Sequence, residues 1–108
     1  FNHNILEYKN INKIKKSSDE FFTKNNLKFD VIYIDGYHYG PQVFKDCMNA
    51  WRFIEKDGFL ICDDYIWDFY TNTKNNPCYA INRFINKNRS TCKIEKISNS
   101  QIFIKKII

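Results

Sequence analysis

Residues 29–65 read FDVIYIDGYHYGPQVFKDCMNAWRFIEKDGFLICDDY. Their pattern predicts a strand, a crossover helix and a second strand. The first apolar run, Val31 to Ile34, stops on Asp35-Gly36. The second, Phe59 to Cys62, stops on Asp63-Asp64. Both runs are continuous rather than alternating, which predicts strands buried on both faces. A helix between them makes the strands parallel, so their carboxyl ends point the same way. Asp35, Asp63 and Asp64 are therefore expected at one rim of the sheet, where ligands of open α/β sheets bind.

Gly40-Pro41 fits the start of the intervening helix, because proline at the first position loses only an amide that already lacks a partner. Val43, Cys47, Ala50, Trp51 and Ile54 share one face, and Lys45, Asn49, Arg52 and Lys56 the other. Asp57-Gly58 is expected to end the helix, with glycine as its left-handed cap. Such crossovers are almost always right-handed, so the topology has little freedom.

The 108 residues suffice for one small domain, residues 1–108. Heavy use of isoleucine, lysine and asparagine points to a coding bias and weakens any inference from the net charge of +5. The distribution of charge tells more. Residues 29–70 hold three basic residues against eight acids, whereas residues 71–108 hold eight against one. An acidic rim in a basic chain disfavours a phosphate there and favours a cation or a hydroxylated ligand. The basic flanks are expected to be solvated faces, with nucleic-acid contact the weaker alternative. The four cysteines, at 47, 62, 78 and 92, lack the close spacing of a zinc or redox motif. Reduced thiols and a cytoplasmic setting are expected. No apolar segment is long enough to span a membrane.

Residues 1–10 carry no firm element. Asn10 to Ser17 alternates imperfectly and is a candidate edge strand. Ser17-Ser18-Asp19-Glu20 has a serine cap and first-turn acids, so a short helix follows, with Phe21 and Phe22 facing the sheet. Ile66 to Asn76 has no clean period and is expected to loop over the rim. A helix from Pro77 presents Ala80, Ile81, Phe84 and Ile85. Two further strands, around Cys92 to Ile97 and Gln101 to Ile108, are joined by Ser98-Asn99-Ser100 and must be antiparallel. The expected fold is α/β: a mostly parallel sheet flanked by helices, ending in an antiparallel β-hairpin.

IYIDGYHYGPQVFKD, followed by a helix and DGFLICDDYIW, resembles class I S-adenosylmethionine-dependent methyltransferases. The similarity is strongest to their small-molecule group, which carries an Ile-Asp-Gly-x-His segment and then Gly-Gly-hydrophobic-Asp-Asp-Tyr. It runs from about Ser17 to the end. The resemblance implies a Rossmann-like sheet of strand order 3-2-1-4-5-7-6, of which this chain supplies strands 3 to 7. The strand with the glycine-rich cofactor loop has no counterpart here, nor has the next, whose acid holds the ribose. The chain begins at Phe1. It is accordingly expected to be the C-terminal part of a longer enzyme or a degraded copy.

The same resemblance implies the site. Ser18-Asp19 match the adenine contact after strand 3, although a helix cap explains them equally. Asp35 matches the acid beside the transferring methyl group, in a catalytic and cofactor-binding role. Asp35, Asp63 and Asp64 match the metal positions of magnesium-dependent O-methyltransferases, in which Mg²⁺ would hold acceptor hydroxyls and lower their pKa. His38 is of the residue type suited to accept a proton near neutral pH, or to bond structurally to a carboxylate. The sugar-modifying relatives often have an acid at Tyr37. Tyr65 and Trp67 either line the acceptor pocket or pack on the last helix. The implied reaction is methyl transfer from S-adenosylmethionine to a hydroxyl of a small-molecule acceptor, with a sugar as one option. The rivals are a non-catalytic domain acting by association, including homo-oligomers through a bare sheet edge, and a basic nucleic-acid-binding module.

Overall fold

A computed structural model describes residues 10–36 and 38–108. Residues 1–9, to which no element was assigned, and Tyr37, where the sequence departs from the sugar-modifying relatives, lie outside the described residues. The elements are α1 (Ser18–Lys24), β1 (Phe29–Ile34), α2 (Gly40–Trp51), β2 (Ile54–Cys62), a 3₁₀ turn (Thr73–Asn75), α3 (Pro77–Lys87), β3 (Cys92–Ser98) and β4 (Gln101–Lys106).

The strands form one sheet in the order β1-β2-β4-β3. This is the order that the resemblance implies for its last four strands. β1 runs parallel to β2, with Ile34 opposite Cys62. β4 is antiparallel to both β2 and β3. The sheet is thus mixed rather than mostly parallel, because the direct turn at Asn99-Ser100 forces β4 to run back along β3. Asn99 takes a φ of 56° there, a left-handed conformation that asparagine tolerates.

One face of the sheet carries the core. Leu60, Cys62, Ile102 and Ile104 are fully buried against Cys47, Ala50 and Trp51 of α2 and against Ala80, Ile81 and Phe84 of α3. Trp51 meets Phe84 edge-on at 5.3 Å. α1 adds Phe22, which stacks on Phe53 at 5.9 Å. The expectation that β1 is buried on both faces fails. Ile32 and Ile34 pack on the core, while Val31 and Tyr33 are 52% and 46% exposed. Among the described residues nothing covers the second face, so helices flank the sheet on one side only. The proposed edge strand over Asn10 to Ser17 is also absent. Among the described residues that segment forms no strand, and it is largely exposed.

Helix starts follow their sequence signals. Ser17 caps α1 by accepting from the Glu20 amide, and Pro41 and Pro77 sit in the first turns of α2 and α3. The end of α2 does not. It stops at Trp51, and Asp57-Gly58 lie inside β2. Between Phe29 and Val31 the β1–β2 register skips from Ile54 to Phe59, so β2 bulges there. Asp57, not Gly58, takes the positive φ, of 69°. Gly58 is needed for space instead: an added Cβ would lie 2.5 Å from the Asp30 carbonyl oxygen. Ile54, assigned to the helix face, opens β2 and is still buried. Among the described residues no helix is long and apolar enough to cross a membrane.

Candidate active site

The β1–β2 register decides which side chains meet. Ile34 and Cys62 are opposite partners, and the Asp63 amide continues the ladder by donating to the Ile34 carbonyl at 2.9 Å. Asp35 and Asp63 therefore leave the sheet side by side. Asp64 takes a φ of 59°, which turns the chain away from the strand direction immediately after Asp63. The carboxylates of Asp35, Asp63 and Asp64 each offer an oxygen within 4.8 Å of the others. His38 joins them: its Nε2 lies 2.7 Å from Asp64 Oδ2. A cavity of about 10 Å³ sits among Asp35, His38, Asp63, Asp64 and Pro77. That is room for about one water-sized group.

The three acids are not equivalent. Although Asp35 is exposed, loss of some water at the rim and then the neighbouring Asp63 charge push its carboxyl above the ordinary value, with Asp64 adding and His38 opposing. Asp63 moves the other way. The Asp64 amide, 2.9 Å from Oδ1, is the main cause, and the Ser100 hydroxyl donates to the same oxygen at 3.1 Å. The Tyr33 hydroxyl supports Asp63 as well and in turn accepts from Gln101 Nε2 at 2.7 Å. The donors around Asp63 favour its charge, and the neighbours of Asp35 disfavour its charge. Three oxygen donors around an ion-sized space fit a hard divalent cation such as Mg²⁺ or Ca²⁺.

The loop after Asp64 closes over His38. Trp67 stacks on the imidazole at 4.8 Å with 29° between planes, and packs edge-on against Phe69 at 5.0 Å. Tyr65 anchors the loop, its hydroxyl donating to Asn82 Oδ1 at 2.6 Å and its amide to the Ser100 carbonyl at 2.8 Å. Gly40 lets the 3₁₀ turn press on the start of α2, since a Cβ there would meet the Asn75 and Lys74 carbonyl oxygens at 2.9 Å. Tyr65 and Trp67 also wall a cavity of about 400 Å³ beside α3, with Cys78, Tyr79 and Asn82. Tyr65 thus packs on α3, and the cavity that it walls with Trp67 is lined by none of the rim acids.

A larger cavity, about 440 Å³, runs from Asp35 and Gly36 along β1 to α1. Its volume lies in the range of roughly 300–1,000 Å³ usual for small-molecule sites. Ser18 is in its wall. Asp19 is outside that wall: its Oδ2 pairs with Lys45 Nζ at 3.1 Å, and this bond is the main reason its carboxyl sits below the ordinary value. The structure thus gathers Asp35, His38, Asp63 and Asp64, places Ser18 at the far end of the adjoining cavity, and directs Asp19 elsewhere. Sequence reading missed the supports. Ser100 and Gln101 reach the rim only because β4 inserts beside β2, a pairing with no local signature. Asp46 and Gln42, in the wall beside Ser18, had one. Asp46 follows Val43 by three positions and precedes Cys47, so it is a charge inside the apolar arc of α2.

Residues 4–65, more than half of the chain, match the protein family described as methyltransferase domain. Among curated proteins, none matches the chain.

Proposed function

The chain belongs to the methyltransferase-domain family, and on that premise we propose that it transfers the methyl group of S-adenosylmethionine to a hydroxyl of a small-molecule acceptor. The observation that carries this reading is the junction of two features. The rim of Asp35, His38, Asp63 and Asp64 opens into the 440 Å³ cavity through Asp35 and Gly36, which line both spaces. The cavity is of cofactor size, and the acid at its mouth suits a cationic sulfonium. Bound there, the cofactor supplies an already activated methyl group.

The protein's work is then alignment, exclusion of water and removal of one proton. Asp64 accepts the Nε2–H of His38 and fixes the ring, which leaves Nδ1 as the basic nitrogen. His38 would accept the acceptor's hydroxyl proton at that atom, freeing the acceptor oxygen to take the methyl group. Trp67 stacks on the imidazole and limits how far the ring can turn. Asp63, held by its donors, and Asp35 complete an acidic rim in which a divalent cation would neutralise charge and hold acceptor oxygens. A sugar or another vicinal diol suits such a rim.

Calorimetric titration of S-adenosylhomocysteine into the chain, with and without Mg²⁺, tests the reading. Saturable binding that weakens at least tenfold in Asp35→Ala is expected. Folded protein that takes up no S-adenosylhomocysteine under either condition sinks it. The edge of β1 and the sheet face that no described residue covers then favour the second reading, a non-catalytic domain that acts by association.

A further inference from the structure

Ser18, Gln42 and Asp46 make a polar corner in a largely apolar wall of the 440 Å³ cavity. Asp46 is only 7% exposed, yet it borders that space. Its Oδ1 accepts two hydrogen bonds, from Ser18 Oγ at 2.7 Å and from Gln42 Nε2 at 2.9 Å. Gln42 Nε2 also reaches Asp19 Oδ1, at 3.3 Å. Among the described residues Asp46 Oδ2 accepts none. It is not sealed in the core either, because no buried side-chain oxygen lacks a partner. The open space beside Asp46 is the cavity. A carboxylate held this deep needs donors on both oxygens, and the protein supplies them to one.

The rest of the wall defines the shape of the missing donor. Phe21 and Phe22 meet edge to face at 5.2 Å, and Ile32 extends the apolar surface. Such walls accept a flat ring, and the acid at this corner accepts an N–H from its edge. We infer that Asp46 is a specificity-determining residue whose Oδ2 accepts a hydrogen bond from the exocyclic amino group of an aminopurine nucleoside. This rests on the reading of the cavity as the cofactor site. It puts the acid of that contact on α2, at a residue the adenine assignment of Ser18-Asp19 did not include. Asp19 is already bonded to Lys45 and Gln42.

Adenosine and purine riboside, which differ only by the amino group, separate the possibilities. Each is titrated into the chain and its Asp46→Asn variant, with binding followed by NMR shifts and folding by thermal melting. In the variant, Ser18 and Gln42 still need an acceptor, so the amide oxygen takes the Oδ1 place and the NH₂ turns to the cavity. The variant is expected to fold. The parent chain should favour adenosine about tenfold, the size of one charge-assisted hydrogen bond, and Asp46→Asn should abolish or reverse that preference. Equal binding of the two nucleosides, a preference that survives Asp46→Asn, or no adenosine binding to folded protein overturns the inference. S-adenosylhomocysteine run alongside keeps the two ideas apart. If it binds no more tightly than adenosine, the methyltransferase reading fails and the Asp46 site stands. If it binds tightly with no response to Asp46→Asn, the reverse holds.

Discussion

Asp35 and Asp63 end neighbouring strands, and their pKa values move in opposite directions. For Asp35 the folded value is raised, so ionised Asp35 destabilises the folded chain at neutral pH. For Asp63 the folded value is depressed, so its charge stabilises the fold above the ordinary carboxylate range and that contribution is lost as pH falls through its folded pKa. Two substitutions should therefore shift the melting temperature in opposite senses at pH 7 in chelator. Asp35→Asn should raise it, with the gain shrinking as pH falls through Asp35's folded value and gone below its ordinary value of 3.8. Asp63→Asn should lower it, with the deficit fading in acid. Melts followed by circular dichroism from pH 3 to 7 read both. A parallel fall for the two variants would mean that neither charge is set as described. Stability lost to an acid that resists ionisation is expected where a ligand is meant to relieve it.

Among the elements, β2 is the one whose irregularity positions the rest. Its bulge absorbs the extra residues between Ile54 and Phe59 and so brings Cys62 level with Ile34, which sets Asp63 beside Asp35. Gly58 permits it by lying against the Asp30 and Glu55 carbonyl oxygens, 2.5 and 2.9 Å from where a Cβ would stand. Neither is a flexible side-chain end, so the backbone itself would have to move. Gly58→Ala is expected to cost at least about 2 kcal/mol, a large share of the roughly 5–15 kcal/mol that holds a domain together. Urea unfolding should show the midpoint fall by a matching amount. An unchanged midpoint would mean that the bulge is soft. The same packing buries Cys47 and Cys62, whose Sγ atoms approach to 3.7 Å between α2 and β2. The Cys62 hydrogen bond and then burial push the Cys47 thiol well up.

On the scale of the molecule, among the described residues β1 is hydrogen-bonded on one side only and the sheet face bearing Val31 and Tyr33 has no layer over it. Edge strands that expose branched and aromatic side chains template further pairing. The chain is expected to self-associate as concentration rises, and Val31→Lys to suppress this with little change in melting temperature, since Val31 makes no part of the core. Sedimentation velocity of the two proteins over a hundredfold concentration range decides it. Identical profiles would show that this face and edge are not where copies meet.

The sequence by itself determined the local and periodic features. These are the Ser17 cap, the helix starts at Gly40-Pro41 and Pro77, the two apolar runs that pair in parallel, and the acids that end them. Each depends on a signal a few residues long, or on a helix too long to allow any but a parallel return. Only the tertiary structure decided the rest. An Asp-Gly pair serves a helix end or a strand bulge equally well, and the approach of Asp30 makes it a bulge. A continuous apolar run is half exposed when only one layer of helices packs on it, as Val31 and Tyr33 are. Ser100 becomes a donor to Asp63, and Asp46 a wall residue rather than Asp19, through contacts between side chains 37 and 28 residues apart in the chain. Contacts of that reach are set by strand order and helix rotation, which the whole chain fixes together and no short pattern encodes.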